Sequence, residues 1–386
     1  MTPEERATHH AWLLELTQVP TAAGREHAVV RWIRRWAESR PGLELTEDAS
    51  GNLWVRMRRP ATGAPIYFTA HLDHPAFVVE RIVGPGTIAV GFRGGVMEDY
   101  FKEARIVVHT RAGTAGATLA GKTDQTRPVF PAYLAELDGR AEVAVGDIAT
   151  WALPPGEIRD GILHTAACDD LAALAAALAA FDVLLHSQTT EDVRLLFTRA
   201  EEIGFIGAIA ACRAGTIPRE ARVIALENSR SFDDSPIGGG PIVRVGDRMS
   251  TFSPGLTVAI AKVAEQLSGG PATPTASQKA SDRAWKWQRK LMAGGACEAT
   301  VFCGFGLDAT CLCLPLGNYH NMADLAAVQA GRNTAPARVG REFISVADFD
   351  GLVDLLIACG HGLPQGASVS AMVDKLWSER SFVLGE

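Results

Sequence analysis

Ile66-Tyr67-Phe68-Thr69-Ala70-His71-Leu72-Asp73 is a short apolar run that stops on a histidine and an aspartate. Its length suits a buried strand better than a helix. The same form recurs along the chain. Asn52 to Met57 is one such run. Val193 to Thr198 leads into Arg199-Ala200-Glu201-Glu202-Ile203-Gly204, and Arg222 to Leu226 stops at Glu227. Thr310 to Leu314 leads through Pro315-Leu316-Gly317-Asn318-Tyr319 to His320. Helix-like stretches such as Asp170 to Leu185 separate these runs, and alternating strands and helices predict an α/β fold, a sheet flanked by helices on both faces.

Working outward, residues 9–37 carry apolar side chains three and four apart. They read as amphipathic helix, interrupted from Pro20 to Gly24 and resumed by His27 to Trp36. From about Val79 to Leu163 the text turns rich in glycine, valine and threonine, with short runs at Thr87 to Val90, Ala104 to His109 and Glu142 to Ala149. This predicts a small all-β domain at 79–163, a lid or an oligomer contact, inserted into a catalytic domain formed by 1–78 and 164–386. Pro271 to Ser281 reads as a loop.

Composition narrows the function. The 386 residues, 47% of them hydrophobic, supply a sizeable core. Acids outnumber Lys and Arg by 44 to 37 without basic runs, which argues against a nucleic-acid partner. Leu171 to Leu185 is too short to span a membrane and contains Asp182. Charged residues in Met1 to Trp12 do not suit a signal peptide, and seven cysteines fit a reducing compartment, so a cytoplasmic location is expected.

The acids and histidines fall where open α/β sheets place active sites, beyond the carboxyl ends of strands. Asp169-Asp170, opening the helix that starts at Leu171, adds a further site. A lone histidine is usually a hydrogen-bonded core group, and an acidic pair before a helix is usually a cap. Several carboxylates gathered at one sheet edge would instead repel one another at a cost of many kcal/mol without cations. Imidazole and carboxylate donors suit zinc, cobalt or manganese, so two divalent metal ions are expected. A glycosidase would need its two carboxylates and no histidines.

His71-Leu72-Asp73, Asp169-Asp170, Glu201-Glu202-Ile203-Gly204, Glu227 and Tyr319-His320 resemble, in order and spacing, the five motifs of the di-metal exopeptidases. The chain looks most like the tetrahedral aminopeptidases, a family that includes glutamyl and deblocking aminopeptidases and proteins once labelled cellulases. Ala70 to Phe77 is similar to that family's first motif, and the β insertion lies where the family has one. The resemblance implies a zinc-exopeptidase-like sheet and peptide substrates. It also implies a homo-oligomer, a dimer or dodecamer built partly through the β insertion. It makes Asp169 the bridge between the ions, with His71 and Glu227 completing one site and Glu202 and His320 the other. Asp73 would accept the free ring N–H of His71. Asp170 would support the neighbouring backbone, and Glu201 would be the general base.

Departures from the family pattern bear on the substrate. Position 227 is glutamate where many members have aspartate, Leu171 stands where arginine is common, and the last motif reads Asn318-Tyr319-His320-Asn321. Glutamate at 227 also occurs in the related carboxypeptidase and dipeptidase branch, so a carboxypeptidase, dipeptidase or deacylase is the alternative. Gly294-Gly295-Ala296-Cys297-Glu298-Ala299 resembles the loop bordering the site, with Glu298 as the expected ligand of a substrate ammonium. An acid there favours a free amine, and an arginine favours a carboxylate.

Overall fold

The computed structural model of the chain describes residues 1–124, 127, 129–272, 285–364 and 369–385. The expected loop at Pro271 to Ser281 therefore lies, from 273 onward, outside the described residues.

Eight strands form the main sheet, in the order Leu43–Glu47, Leu53–Met57, Glu191–Thr198, Thr62–His71, Arg222–Arg230, Asp308–Leu316, Ile242–Asp247, Gln288–Met292. The central four, Glu191–Thr198 to Asp308–Leu316, run parallel, and the flanking pairings include antiparallel ones, so the sheet is mixed as expected. Period-two burial explains why the central strands read as unbroken apolar runs. Ile66, Phe68 and Ala70 face one core with Leu195, Phe197, Ile224, Leu226, Leu312 and Leu314. Tyr67, Leu196, Val223, Ala225, Cys311 and Cys313 face a second core on the other side.

The first core is closed by helix Leu171–Leu185, whose alanines let it lie wholly inside between the sheet and helices Pro3–Leu16 and Val346–His361. Helices Ile206–Ala214 and Glu298–Gly304 cover the second. The strands Leu43–Glu47, Ile242–Asp247 and Gln288–Met292 were not legible as separate runs. The first and last are half-buried edge strands with charged residues, and the middle one is broken by Arg244.

A six-stranded closed barrel runs from Ala76 to Trp151, in the order Ala76–Gly84, Thr87–Arg93, Ala132–Leu137, Gly113–Thr123, Arg105–Thr110, Ile148–Trp151. Its interior is aromatic: Phe77, Phe92, Phe101, Tyr133 and Trp151 pack together, with the Phe101 and Tyr133 rings stacked 4.5 Å apart. The barrel ends before 163. Strands Glu157–Arg159 and Ile162–Thr165 leave it and form a three-stranded sheet with Glu342–Ser345, so the return to the α/β layer begins about ten residues earlier than composition suggests. Among the described residues no helix is long and apolar enough to cross a membrane. All seven cysteines are free.

Candidate metal centre

Because the four central strands are parallel, their carboxyl ends share one edge of the sheet, and this brings together residues far apart in sequence. His71 closes strand Thr62–His71, Glu201 and Glu202 follow Glu191–Thr198, Glu227 lies within Arg222–Arg230, and His320 follows Asp308–Leu316. Asp169 sits between them just before the buried helix.

The two Asp169 oxygens face opposite ways. Oδ1 is 3.3 Å from His71 Nε2, and Oδ2 is 3.4 Å from His320 Nε2. Glu227 Oε1 lies 3.8 Å from His71 Nε2, and Glu202 Oε1 lies 3.5 Å from His320 Nε2. Three overlapping groups result: His71, Asp169, Asp170 and Glu227; Asp169, Glu202 and His320; and His71, Glu201 and Glu202, each with donor atoms within 4.8 Å of one another. Asp169 Oδ1 and Glu202 Oε1 are buried and have no hydrogen-bond partner. Nitrogen and carboxylate donors with orphaned buried oxygens fit divalent cations such as zinc or manganese.

The other ring nitrogens are committed. His71 Nδ1 donates to the backbone carbonyl of Asp73 at 3.1 Å, and His320 Nδ1 donates to the carbonyl of Gly95 at 2.6 Å. Each tautomer is thereby fixed with Nε2 free to ligate. Gly95 belongs to the barrel segment, so the β insertion orients one candidate ligand directly.

The Asp73 carboxylate does more than stand beside the His71 ring. It stands 3.5 Å from His71 Nδ1, while its two oxygens accept the backbone N–H groups of Glu201 and Glu202 at 2.9 and 3.1 Å. The tight turn after Thr198 leaves those amides without sheet partners, and the two oxygens of one carboxylate satisfy both. Asp170 accepts the backbone N–H of His71 at 3.1 Å, and its peptide link to Asp169 is cis. Asn318, His320 and Asn321 all adopt left-handed backbone conformations, a concentration of strain typical of functional turns.

Charge in the site is frustrated. Burial pushes the carboxyls of Glu201 and Glu202 well above the usual range, and neighbouring acids add to the effect. Burial also brings Glu227 up to about 7. Burial works to lower His71, yet Glu201, Asp169, Asp73 and Glu227 outweigh it, and the imidazole is raised well above its ordinary value. The pocket demands positive charge.

A cavity of about 180 Å³ opens onto this cluster, lined by Asp169, Glu201, Glu202, Glu227 and His320 at one end and by Asn228, Ser229, Arg230 and Arg244 at another. Gly294, Gly295 and Ala296 border it, as expected of that loop. Glu298 does not. It opens helix Glu298–Gly304, is only 3% exposed and lies outside the lining, with its buried Oε1 lacking a hydrogen-bond partner. A larger groove of about 830 Å³ between the barrel and residues 333–337 shares none of these groups.

Arg244, Asn321 and Glu342 escaped the sequence reading, whereas His74, directly after the first motif, is read there as a locally hydrogen-bonded group near the metals. Arg244 interrupts the apolar run Ile242-Val243-Arg244-Val245, which is a signal, because a charge inside a buried strand asks for a reason. His74 is hydrogen-bonded to the Asp169 carbonyl and, at 3.0 Å, to Asn321 Oδ1. Asn321 in turn donates to Ala166 and Gly340 carbonyls. Glu342 accepts backbone N–H groups on both sides of the centre. Neither Asn321 nor Glu342 carries a local signal.

A mixed α/β sheet with buried histidines and carboxylates gathered at its parallel strand ends is the frame of a metal-dependent peptidase. The chain belongs to the M42 glutamyl aminopeptidase family, whose profile matches residues 135–335, just over half of its length. Solved structures agree on the fold. An aminopeptidase from the archaeon Desulfurococcus kamchatkensis superposes with a TM-score of 0.72 at 19% identity, over 94% of this chain and 97% of that one. The TET1 peptidase of Pyrococcus horikoshii, described as assembling into a tetrahedron or a large octahedral shell, gives 0.71 at 19% identity, over 92% and 100%. An M18-family aminopeptidase from Thermotoga maritima gives 0.62 at 14% identity, over 94% and 98%. No curated protein matches the chain significantly.

Proposed function

We propose that this protein is a di-metal aminopeptidase that removes N-terminal residues from peptides, with a preference for acidic ones. The observation that carries the reading is the opposed pair of Asp169 oxygens, one facing His71 and Glu227 and the other facing Glu202 and His320. Asp169 would bridge two ions, zinc first and cobalt or manganese as alternatives, with His71 and Glu227 holding one and Glu202 and His320 the other. Divalent ions there supply Lewis acidity to the scissile carbonyl and make water acidic enough to attack near neutral pH.

The chain's own residues do the rest. Glu201 lies 3.9 Å from His71 Nε2, lines the cavity and has its carboxyl raised well above the usual range by burial. We assign it the role of base toward the attacking water and then of acid toward the departing amine. Asp73, through the amides of Glu201 and Glu202, fixes the fork that sends one carboxylate to substrate and the other to the ions.

Arg244 supports the acidic preference. It is 2% exposed, its Nη1 donates to Ser229 Oγ at 3.1 Å, its Nε has no partner, and among the described residues it forms no ion pair. Beside it, both amide atoms of Asn228 are also unpartnered. A buried guanidinium without a carboxylate, lining a substrate cavity, is a waiting carboxylate site. The glutamyl description of the family favours a P1 side chain as its occupant. The same arginine favours, as second reading, capture of a substrate's terminal carboxylate. The tetrahedral and octahedral assemblies of the Pyrococcus peptidase make a homo-oligomer our expectation for this chain, with the barrel, 79–163 as a domain in sequence, as lid or contact.

The test is hydrolysis of a peptide panel by metal-stripped protein with zinc, cobalt or manganese restored. Release of N-terminal glutamate from carboxyl-amidated peptides supports the aminopeptidase. Cleavage confined to N-acylated peptides with free carboxyl ends transfers the assignment to the second reading.

A further inference from the structure

Behind the candidate ligands stand buried carboxylates that lie outside the cavity lining and accept backbone N–H groups. Asp170 holds the amide of one ligand, His71, and Asp73 holds the two adjacent amides of Glu201 and Glu202. Glu342 joins two segments that are distant in sequence. Its Oε2 accepts the N–H groups of Cys168 at 2.6 Å and Asp169 at 3.0 Å, and its Oε1 accepts the N–H of His320 at 2.8 Å.

Glu342 is 0% exposed, and among the described residues no lysine, arginine or histidine pairs with it. Only those three N–H donors balance its charge, which is a costly arrangement for a residue that merely fills space. Its place is also rigid: strand Glu342–Ser345 pairs with Ile162–Thr165, with Glu342 opposite Thr165, so the carboxylate is anchored to the segment that delivers Asp169. The turn at His320 is left-handed and needs an external hold to keep its ring aimed at Asp169.

We infer that Glu342 is a positioning residue for the half of the centre formed by Asp169, Glu202 and His320, setting the spacing between Asp169 and His320 through their own backbone amides. This rests on the two-ion reading above. The half formed by His71 and Glu227 meets it at Asp169 and where His71 nears Glu202, but no bond from Glu342 reaches His71, which is held by Asp170 and the Asp73 carbonyl. Glutamine at 342 cannot replace the carboxylate. Whichever way its amide is turned, an NH2 group meets a backbone N–H, donor against donor.

The experiment is zinc titration of the metal-stripped protein against a chromophoric chelator, for wild type, Glu342→Gln and Glu342→Asp, with thermal unfolding of each metal-free protein. Wild type is expected to take up two ions. In Glu342→Gln one ion should bind about as in wild type and the other roughly 10- to 100-fold more weakly, the usual consequence of losing an outer hydrogen-bond partner. Glu342→Asp, which keeps two acceptor oxygens, should recover part of that loss. Equal weakening of both ions, or unchanged affinities in a less stable protein, would reduce Glu342 to a structural residue and overturn the assignment. If Glu342→Gln does not fold, the same site-selective criterion is applied to Glu342→Asp. A wild type that takes up fewer than two ions overturns the two-ion reading itself, and the assignment with it.

Discussion

Replacing Arg244 with methionine keeps the aliphatic stem and removes the charge, and the structure sets how large the effect should be. The guanidinium sits in a cavity wall at 2% exposure, where a substrate carboxylate about 4 Å away would interact by about 4 kcal/mol at an effective dielectric constant near 20. Truncating one partner of a buried hydrogen-bonded charge pair costs about 2–5 kcal/mol. At 1.36 kcal/mol per factor of ten, kcat/KM for an N-terminal glutamate should fall roughly 100- to 1,000-fold. A leucyl substrate makes no use of the charge and should change by less than about threefold, or improve. Stability should not confound the result, because the methionine removes a buried charge whose neighbours are the Ser229 hydroxyl, the Phe252 ring and, without an ion pair, Glu227. The assay is the ratio of initial rates on glutamyl and leucyl 7-amido-4-methylcoumarin, with thermal unfolding of both proteins as control. The ratio cancels any general effect on Glu227, which senses the same guanidinium. An unchanged glutamyl-to-leucyl ratio would refute the carboxylate pocket.

Glu201→Gln should lower kcat about 100- to 10,000-fold, the range of general-base contributions, while metal content by elemental analysis stays at the wild-type level; retained turnover would assign the base elsewhere. For the metal-free protein, burial holds Glu227 and Glu298 up to about 7 against 4.5 in the unfolded chain. Groups so raised stabilise the fold fully below about 4.5 and lose that contribution as pH rises through about 7. The melting temperature in chelator should therefore drop between pH 5 and pH 8, and zinc should recover more of it at pH 8 than at pH 5, since ligands give up protons on binding. A melting temperature that rises across that window in chelator would contradict the sign. Ala176, fully buried in helix Leu171–Leu185, leaves no room for growth, so Ala176→Leu should cost about 1–3 kcal/mol in chemical denaturation without changing substrate preference.

Much of the frame can be read without coordinates. Apolar runs ending in His71, Glu201-Glu202, Glu227 and His320 are local patterns, and their alternation with helices is enough to imply a parallel-stranded sheet whose carboxyl edge gathers them. Motif order supplies the family. The edge strands and Arg244 were harder, because a charged or half-exposed segment looks like loop until its neighbours are known.

What tertiary structure decided is everything that depends on contact between distant segments. Glu342 is 173 residues from Asp169 and 22 from His320, and nothing near it in sequence marks the bonds it makes to both. The Gly95 carbonyl reaches His320 across 225 residues only because the barrel packs against that turn. Asp73 reads from sequence as a partner for the neighbouring imidazole, but only the packed chain shows that its carboxylate also holds two amides 128 and 129 residues away. Glu298 follows the loop that borders the cavity yet is buried outside its lining, where its helix begins. The sequence picked out the candidate ligands because strand periodicity and metal chemistry are local. Their orientation came from backbone donors and acceptors, which every residue carries alike and which only the packed chain brings within reach.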